Sequence, residues 1–359
     1  MNKIKESSSN SIKEKIINSK AIEYLKSLKE LLGNTPPIQY LLSNEKFLSK
    51  LLQDSNNDID YLCYRLGRIY KYYLISGDKN IYSNYEEIFE KLNALEGNFD
   101  FKNWIFNDGV FTHSCNGSMV NLIKKNGLGS PLNKNEVLFD ALNFLEKKLA
   151  ITGEYTKQQS GRDDEVYFTS PGATSFGYAF SFAPERLFLG ILKQENGNAI
   201  PVVYGENKKD YYRKVIYRKF ENNLDLETKK NIEIILEGYF SNLNCIISFP
   251  IKDVLDSKNI YFETIKEGKA LNLKDFINSN LNFSSAFFTE SVGSNANTNN
   301  MDNFVMINTV ISPKNLHFLQ IPDRYDLMQL IAKNKEIRIG DEFDYFTFEE
   351  LSPKHNSKK

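Results

Sequence analysis

The chain has 359 residues, 41% hydrophobic and 25% charged, with a mean hydropathy of -0.44, enough apolar material for one large core or two smaller ones. Its 45 Lys+Arg balance 46 Asp+Glu to a net charge of -1, so no global field recruits nucleic acid or an anionic membrane. Cys63, Cys115 and Cys245 are few, odd in number and widely spaced, which excludes a disulfide framework and a zinc site and fits a reducing compartment. Residues 1–20 are charged and rich in Ser and Asn, unlike a secretory signal peptide. No stretch approaches the ~20 apolar residues of a membrane span.

A helical pattern runs from Ser11 to Leu95. Ala21, Leu25, Leu28 and Leu32 share one face, and Gly33 with Pro36 and Pro37 stops that helix and starts the next. Leu62, Leu66, Ile69 and Tyr73 form a second stripe after an Asp58 cap, and Ser83 with Glu86 reads as a capping box ahead of Ile88, Phe89, Leu92 and Leu95. Stripes of this kind are core packing. An N-terminal helical domain is therefore expected over residues 1–100. From Trp104 onward the texture becomes short β-type runs, at 110–113, 165–168, 186–191, 199–204, 245–250, 259–263, 286–289, 304–308 and 316–321. Helices are expected over 138–149, 208–220 and 226–239. This reads as an α+β domain over 101–325 whose split sheet carries helical insertions. A C-terminal helix and charged tail follow over 326–359. The basic and aromatic run 208–219 is expected to be a solvated helix face.

Two fragments carry chemistry. In the first, His113 closes a β-type run and is followed by Ser114, Cys115, Ile123, Gly127 and Leu128; in the second, Tyr167 and Phe168 close a run and are followed by Ser175 and Tyr178. Both spacings resemble the nicotinamide-site motifs of ADP-ribosyltransferases built like poly(ADP-ribose) polymerase. In that family Ile, Gly and Leu follow the histidine at these intervals, and Ser and Tyr follow the strand tyrosine. The resemblance covers roughly residues 110–192, extends to the last strands, and does not reach residues 1–100.

The resemblance implies a split antiparallel sheet and a reaction in which NAD, as substrate, loses nicotinamide through an oxocarbenium-like state. It implies that His113 hydrogen-bonds the adenosine-side ribose and that Ser114 holds the carboxamide through its backbone. Ser175 holds it through its hydroxyl, while Tyr178 and Tyr167 cover the two faces of the ring. Cys115 stands where the family has a serine, leaving a weaker thiol donor unless Ser118 substitutes. Ser114 and Glu165 stand where the family commonly has glycines. Gly172 and Gly177 permit close backbone approach or serve turns alone. His317 and His355 carry no motif.

The family's third catalytic position, a glutamate at the start of a later strand, has no matching glutamate here. Counting from the strand side puts Asn303 there, counting back from Pro313 and Leu316 puts Asp302 there, and Glu290 is a third alternative. Asn303 is the preferred assignment, and an amide cannot accept a proton from an attacking group. The function expected is thus mono-ADP-ribosyl transfer to a protein acceptor, without metal, membrane or nucleic acid. The rivals are an NAD glycohydrolase and a non-catalytic NAD or ADP-ribose binding module. A related RNA 2'-phosphotransferase is excluded because no arginine lies near His113. Richness in Lys, Asn and Ile points to an AT-rich genome, and a cytoplasmic protein or an effector delivered into another cell's cytoplasm is expected.

Overall fold

A computed structural model of the chain describes residues 44–55, 59–76, 85–96, 103, 106–149, 165–169, 173–180, 207–219, 224–240, 242–262, 272–279 and 303–321. The expected helix at 21–32, the strands at 186–191, 199–204 and 286–289, and the segment 326–359 lie outside the described residues, as do Asp58, Ser83, Gly172, Glu290, Asp302 and His355.

The strands are β1 (Val110–Cys115), β2 (Glu165–Thr169), β3 (Asn244–Pro250), β4 (Ile260–Phe262), β5 (Asn303–Ile307) and β6 (His317–Ile321). They form one six-stranded sheet in the order β4-β5-β2-β1-β3-β6, with every neighbouring pair antiparallel. The helices are α1 (Glu45–Asp54), α2 (Ile59–Ser76), α3 (Tyr85–Glu96), α4 (Gly117–Asn126), α5 (Glu136–Leu149), α6 (Ala173–Phe180), α7 (Lys208–Lys219), α8 (Leu226–Tyr239) and α9 (Leu273–Ser279). The mixed α/β class and the antiparallel sheet are as expected from sequence. Helix α9 is an addition, and the Asn272 side chain caps it by accepting from the amide of Asp275 at 3.0 Å.

Successive side chains of a strand point to opposite faces, and both faces of this sheet are covered. On one side Phe111, Cys115, Phe168, Cys245, Ile247, Phe249 and Phe304 form a core with Val120 and Ile123 of α4 and Leu273 of α9. Phe168 and Phe304 stack there at 5.4 Å, and Phe111 lies 4.8 Å from Phe168. On the other side Ile246, Leu319 and Ile321 join a larger core with α1, α2, α3, α5, α6, α7 and α8. The N-terminal helices thus share a continuous core with the helices that cover the sheet.

Two basic residues of α7 are engaged by the neighbouring α8. Arg213 donates two bonds to Glu233 of α8, at 2.8 and 2.9 Å, and Lys209 pairs with Glu237. The carboxylate beside Arg213 holds the guanidinium more firmly protonated than usual, and the guanidinium lowers the Glu233 pKa.

Helix α4 begins at Asn116, whose side chain accepts from the amide of Ser118 at 2.7 Å. It ends at Gly127, with φ 90 and ψ 162, a region open essentially to glycine alone. A Cβ at this position would lie 2.4 Å from the carbonyl oxygen of Ile311. Leu128 then pairs with Ile311 through two backbone bonds, at 3.0 and 2.9 Å, and both side chains enter the core with Ile123. Ile123, Gly127 and Leu128 therefore clamp α4 to the segment leading into β6. Gly127→Ala is expected to destabilise the fold by about 3 kcal/mol from strain and displacement, measured by urea denaturation; a loss within experimental error removes the clamp.

Candidate active site

The sheet is two three-stranded halves, β4-β5-β2 and β1-β3-β6. Among the described residues they meet at a single register pair, Thr112 opposite Thr169, whereas β1 and β3 pair from Val110 to Cys115. Side-chain bonds continue where that ladder stops. Thr112 Oγ1 donates to the carbonyl of Thr169 at 3.1 Å and is bonded to Ser175 Oγ. Ser114 Oγ donates to the carbonyl of Ser175 at 2.6 Å, and His113 Nδ1 meets the carbonyl of Tyr167 at 2.6 Å.

These bonds fix where protons sit. Thr112 has one hydroxyl proton, and the carbonyl of Thr169 can only accept it. The Ser175 hydroxyl must then donate to Thr112, which leaves Ser175 Oγ with acceptor capacity only. The same reasoning applies to His113: its carbonyl partner accepts, so Nδ1 carries the proton and the neutral ring presents Nε2 as an acceptor. Burial lowers the imidazole pKa, and the bond to the Tyr167 carbonyl partly opposes that shift. At neutral pH the ring is therefore uncharged, with its Nε2 lone pair available.

Helix α6 is laid across β1 and β3, in register with the hydroxyl chain. Besides the bonds at Ser175, Asn244 of β3 donates to the carbonyl of Ala179 at 2.9 Å while its Oδ1 accepts from the amide of Gly117 at 3.0 Å. One amide side chain thus ties the C-terminal turn of α6 to the N-terminus of α4. Phe176 and Ala179 are fully buried, whereas Tyr178 is 49% exposed. Tyr178 is thus a solvent-facing ring on a helix whose other aromatic anchor is in the core. Tyr167 is half-buried, and its hydroxyl donates to Glu165 Oε2 at 2.7 Å. Glu165 therefore holds the strand tyrosine by its hydroxyl.

Other expected site residues take different positions. Phe168 is buried among Phe111, Phe249 and Phe304 on the opposite face from Tyr167. Cys115 shares that face, in register with Cys245, and its thiol pKa is raised by the Cys245 thiol against it and by burial. Ser118 is spent within the α4 cap, its hydroxyl bonded to Asn116 Oδ1. Asn303 begins β5 directly opposite Thr169, two strand spacings or roughly 10 Å from the backbone of Thr112. His317 is an exposed residue opposite Ser248 on the edge strand.

Thr112, Thr169 and Asn244 were not singled out by sequence. The signal for the first was local: a buried strand reading Phe111-Thr112-His113-Ser114-Cys115 puts two hydroxyls on one face, and a strand face of that kind needs partners.

No family model, curated protein or solved structure matches the chain. Among the described residues, no group of His, Cys, Asp and Glu is arranged to hold a metal ion, and no helix is long and apolar enough to cross a membrane.

The proton assignment at His113 is directly measurable. With three histidines in the chain, the His113 ring resonance is expected to titrate below 6.5 by NMR. Because its folded pKa lies below its unfolded value, the unfolded chain binds more protons in that window. His113 therefore costs stability as pH falls through 6.5 toward the folded pKa. A midpoint at or above 6.5 overturns the buried neutral tautomer.

Proposed function

We propose that the chain is an NAD-dependent mono-ADP-ribosyltransferase that moves ADP-ribose from NAD to a protein acceptor and releases nicotinamide. In this reading the six-stranded sheet is the split sheet of that fold, and the single Thr112–Thr169 pair is where the two halves open onto the ligand. The observation that carries the reading is the clustering of His113, Ser114, Tyr167 and Ser175 by mutual hydrogen bonds at that junction. These residues come from two fragments more than fifty positions apart, and they are the ones the resemblance names.

The roles follow from the proton positions. His113 Nε2 accepts from a ribose hydroxyl, and Ser175 Oγ accepts from the carboxamide NH2 of nicotinamide. Tyr178 supplies an exposed ring to stack on the pyridinium, and Tyr167, steadied by Glu165, closes the other side. Fixing nicotinamide in this way lets positive charge develop on the ribose carbon while the leaving group is held still. Asn303 at the start of β5 offers a hydrogen bond to a ribose hydroxyl and no basic group. Single transfers are therefore favoured over chain elongation, which needs a carboxylate to activate a ribose hydroxyl.

The deciding experiment is a nicotinamide-release assay with labelled NAD and a cell lysate. Release by the wild type and a loss of about a hundredfold in His113→Ala are expected, with single ADP-ribose units on a protein band by mass spectrometry. Free ADP-ribose alone makes the chain a glycohydrolase, NAD binding without release makes it a binding module, and equal release by both proteins sinks the site.

Tyr178→Ala gives a second measure. Loss of ring stacking on the order of 1 kcal/mol is expected to raise KM for NAD about fivefold with folding intact by circular dichroism. An unchanged KM assigns Tyr178 no part in binding.

A further inference from the structure

Helix α2 belongs to the N-terminal segment that carries no motif, yet it packs along α6. At the contact Tyr70 is 3% exposed and Phe176 is fully buried, and their rings meet edge to face at 5.9 Å and 82°. The Tyr70 hydroxyl reaches past α6 to the sheet, where it is hydrogen-bonded with Ser248 of β3. Burial pushes that hydroxyl up to about 12, so it stays protonated throughout the physiological range. One side chain from the N-terminal helices therefore touches both the helix that carries Ser175 and Tyr178 and the strand that pairs with β1.

Phe176 follows Ser175 in sequence and points about 100° further round the helix. A rotation or slide of α6 that moved Ser175 off Thr112 would drive Phe176 against the Tyr70 ring, and close-packed interiors resist such shifts. Asn244 restrains the C-terminal turn of the same helix through Ala179. The hydroxyl chain holds the start of α6, Asn244 holds its end, and Tyr70 holds the middle.

We propose that Tyr70 is a positioning residue for the candidate pocket: wedged between Phe176 and Ser248, it fixes α6 so that Ser175 and Tyr178 meet nicotinamide in a preset place. The inference rests on the pocket reading above. It gives the N-terminal helices a part in substrate affinity without touching the ligand.

The test combines amide hydrogen exchange, read by mass spectrometry on the full chain, with nicotinamide release. In Tyr70→Ala, exchange across residues 173–180 is expected to rise roughly tenfold relative to peptides of β1 and β3. KM for NAD is expected to rise several-fold at unchanged kcat, because a helix that must be re-ordered taxes binding. Tyr70→Phe, which keeps the ring on Phe176, and Ser248→Ala, which removes the partner from the sheet side, are expected to fall between wild type and Tyr70→Ala. Exchange that rises equally in α6 and the strands, or that does not rise, overturns the proposal, as does selective exchange with unchanged KM. If Tyr70→Ala does not fold, the two milder variants decide: faster exchange confined to α6 in either supports the proposal, and no such change in both overturns it. A wild type that neither binds NAD nor releases nicotinamide refutes the pocket reading itself, while the exchange measurement still reports whether Tyr70 fixes α6.

Discussion

The arrangement depends on one constraint: among the described residues two halves of a sheet are joined at a single register pair, and the polar groups buried beside that join must satisfy one another. Thr112, Ser175 and Thr169 are all buried, where an unpaired hydroxyl costs a few kcal/mol. Their bonds form a directed chain in which Ser175 donates to Thr112 and Thr112 donates to the carbonyl of Thr169. Ser114 adds a third link by donating to the carbonyl of Ser175. The position of α6 is therefore set by polar satisfaction on its sheet-facing side and by Phe176 packing on its other side.

The same chain makes the junction electrically quiet. Its hydroxyls are neutral, and burial with the carbonyl of Tyr167 keeps His113 uncharged near neutral pH. The carboxylate of Glu165 is four positions from Thr169 along β2, roughly 13 Å at strand rise, and it is engaged with the Tyr167 hydroxyl. The proposed ligand, NAD, would bring its own cationic ring to this neutral junction. In the proposed reading, an amide at the start of β5 cannot take a proton from an attacking group as a carboxylate there would.

Much of this was legible in the sequence, and what was missed has physical causes. The six described strands and most helices follow from period and punctuation: β3 reads as an apolar run closed by Pro250, and α8 begins after Asp225, whose side chain accepts from the amide of Thr228 at 2.7 Å. Helix α9 was missed because seven residues make too short a stripe for period to speak. Of the residues expected at the site, His113, Ser114, Tyr167 and Ser175, taken from the spacing of two fragments, lie together in the structure. Phe168, named as part of the Tyr-Phe pair, and Cys115, named where the family has a serine, face the aromatic core, because neighbours along a strand face opposite sides. Asn244 escaped because its pairing lies 65 residues distant, which no local pattern encodes, whereas the alternation around Thr112 was legible but not its partner 63 residues on.

That alternation shows how β1 combines two tasks in six residues. Phe111 and Cys115 pack into the aromatic core against Phe249 and Cys245, while Thr112 and Ser114 build the hydroxyl chain on the other face. His113 belongs by parity to the core face, yet its ring turns back to the carbonyl of Tyr167 and remains half-buried. It can do so because β1 and β2 cease to pair after Thr112. In a continuous ladder that space would be closed by the partner strand, and an imidazole at this point would have to be a core residue. The opening of the sheet is thus what converts a strand histidine into a group with one nitrogen fixed by the protein and the other left as an acceptor.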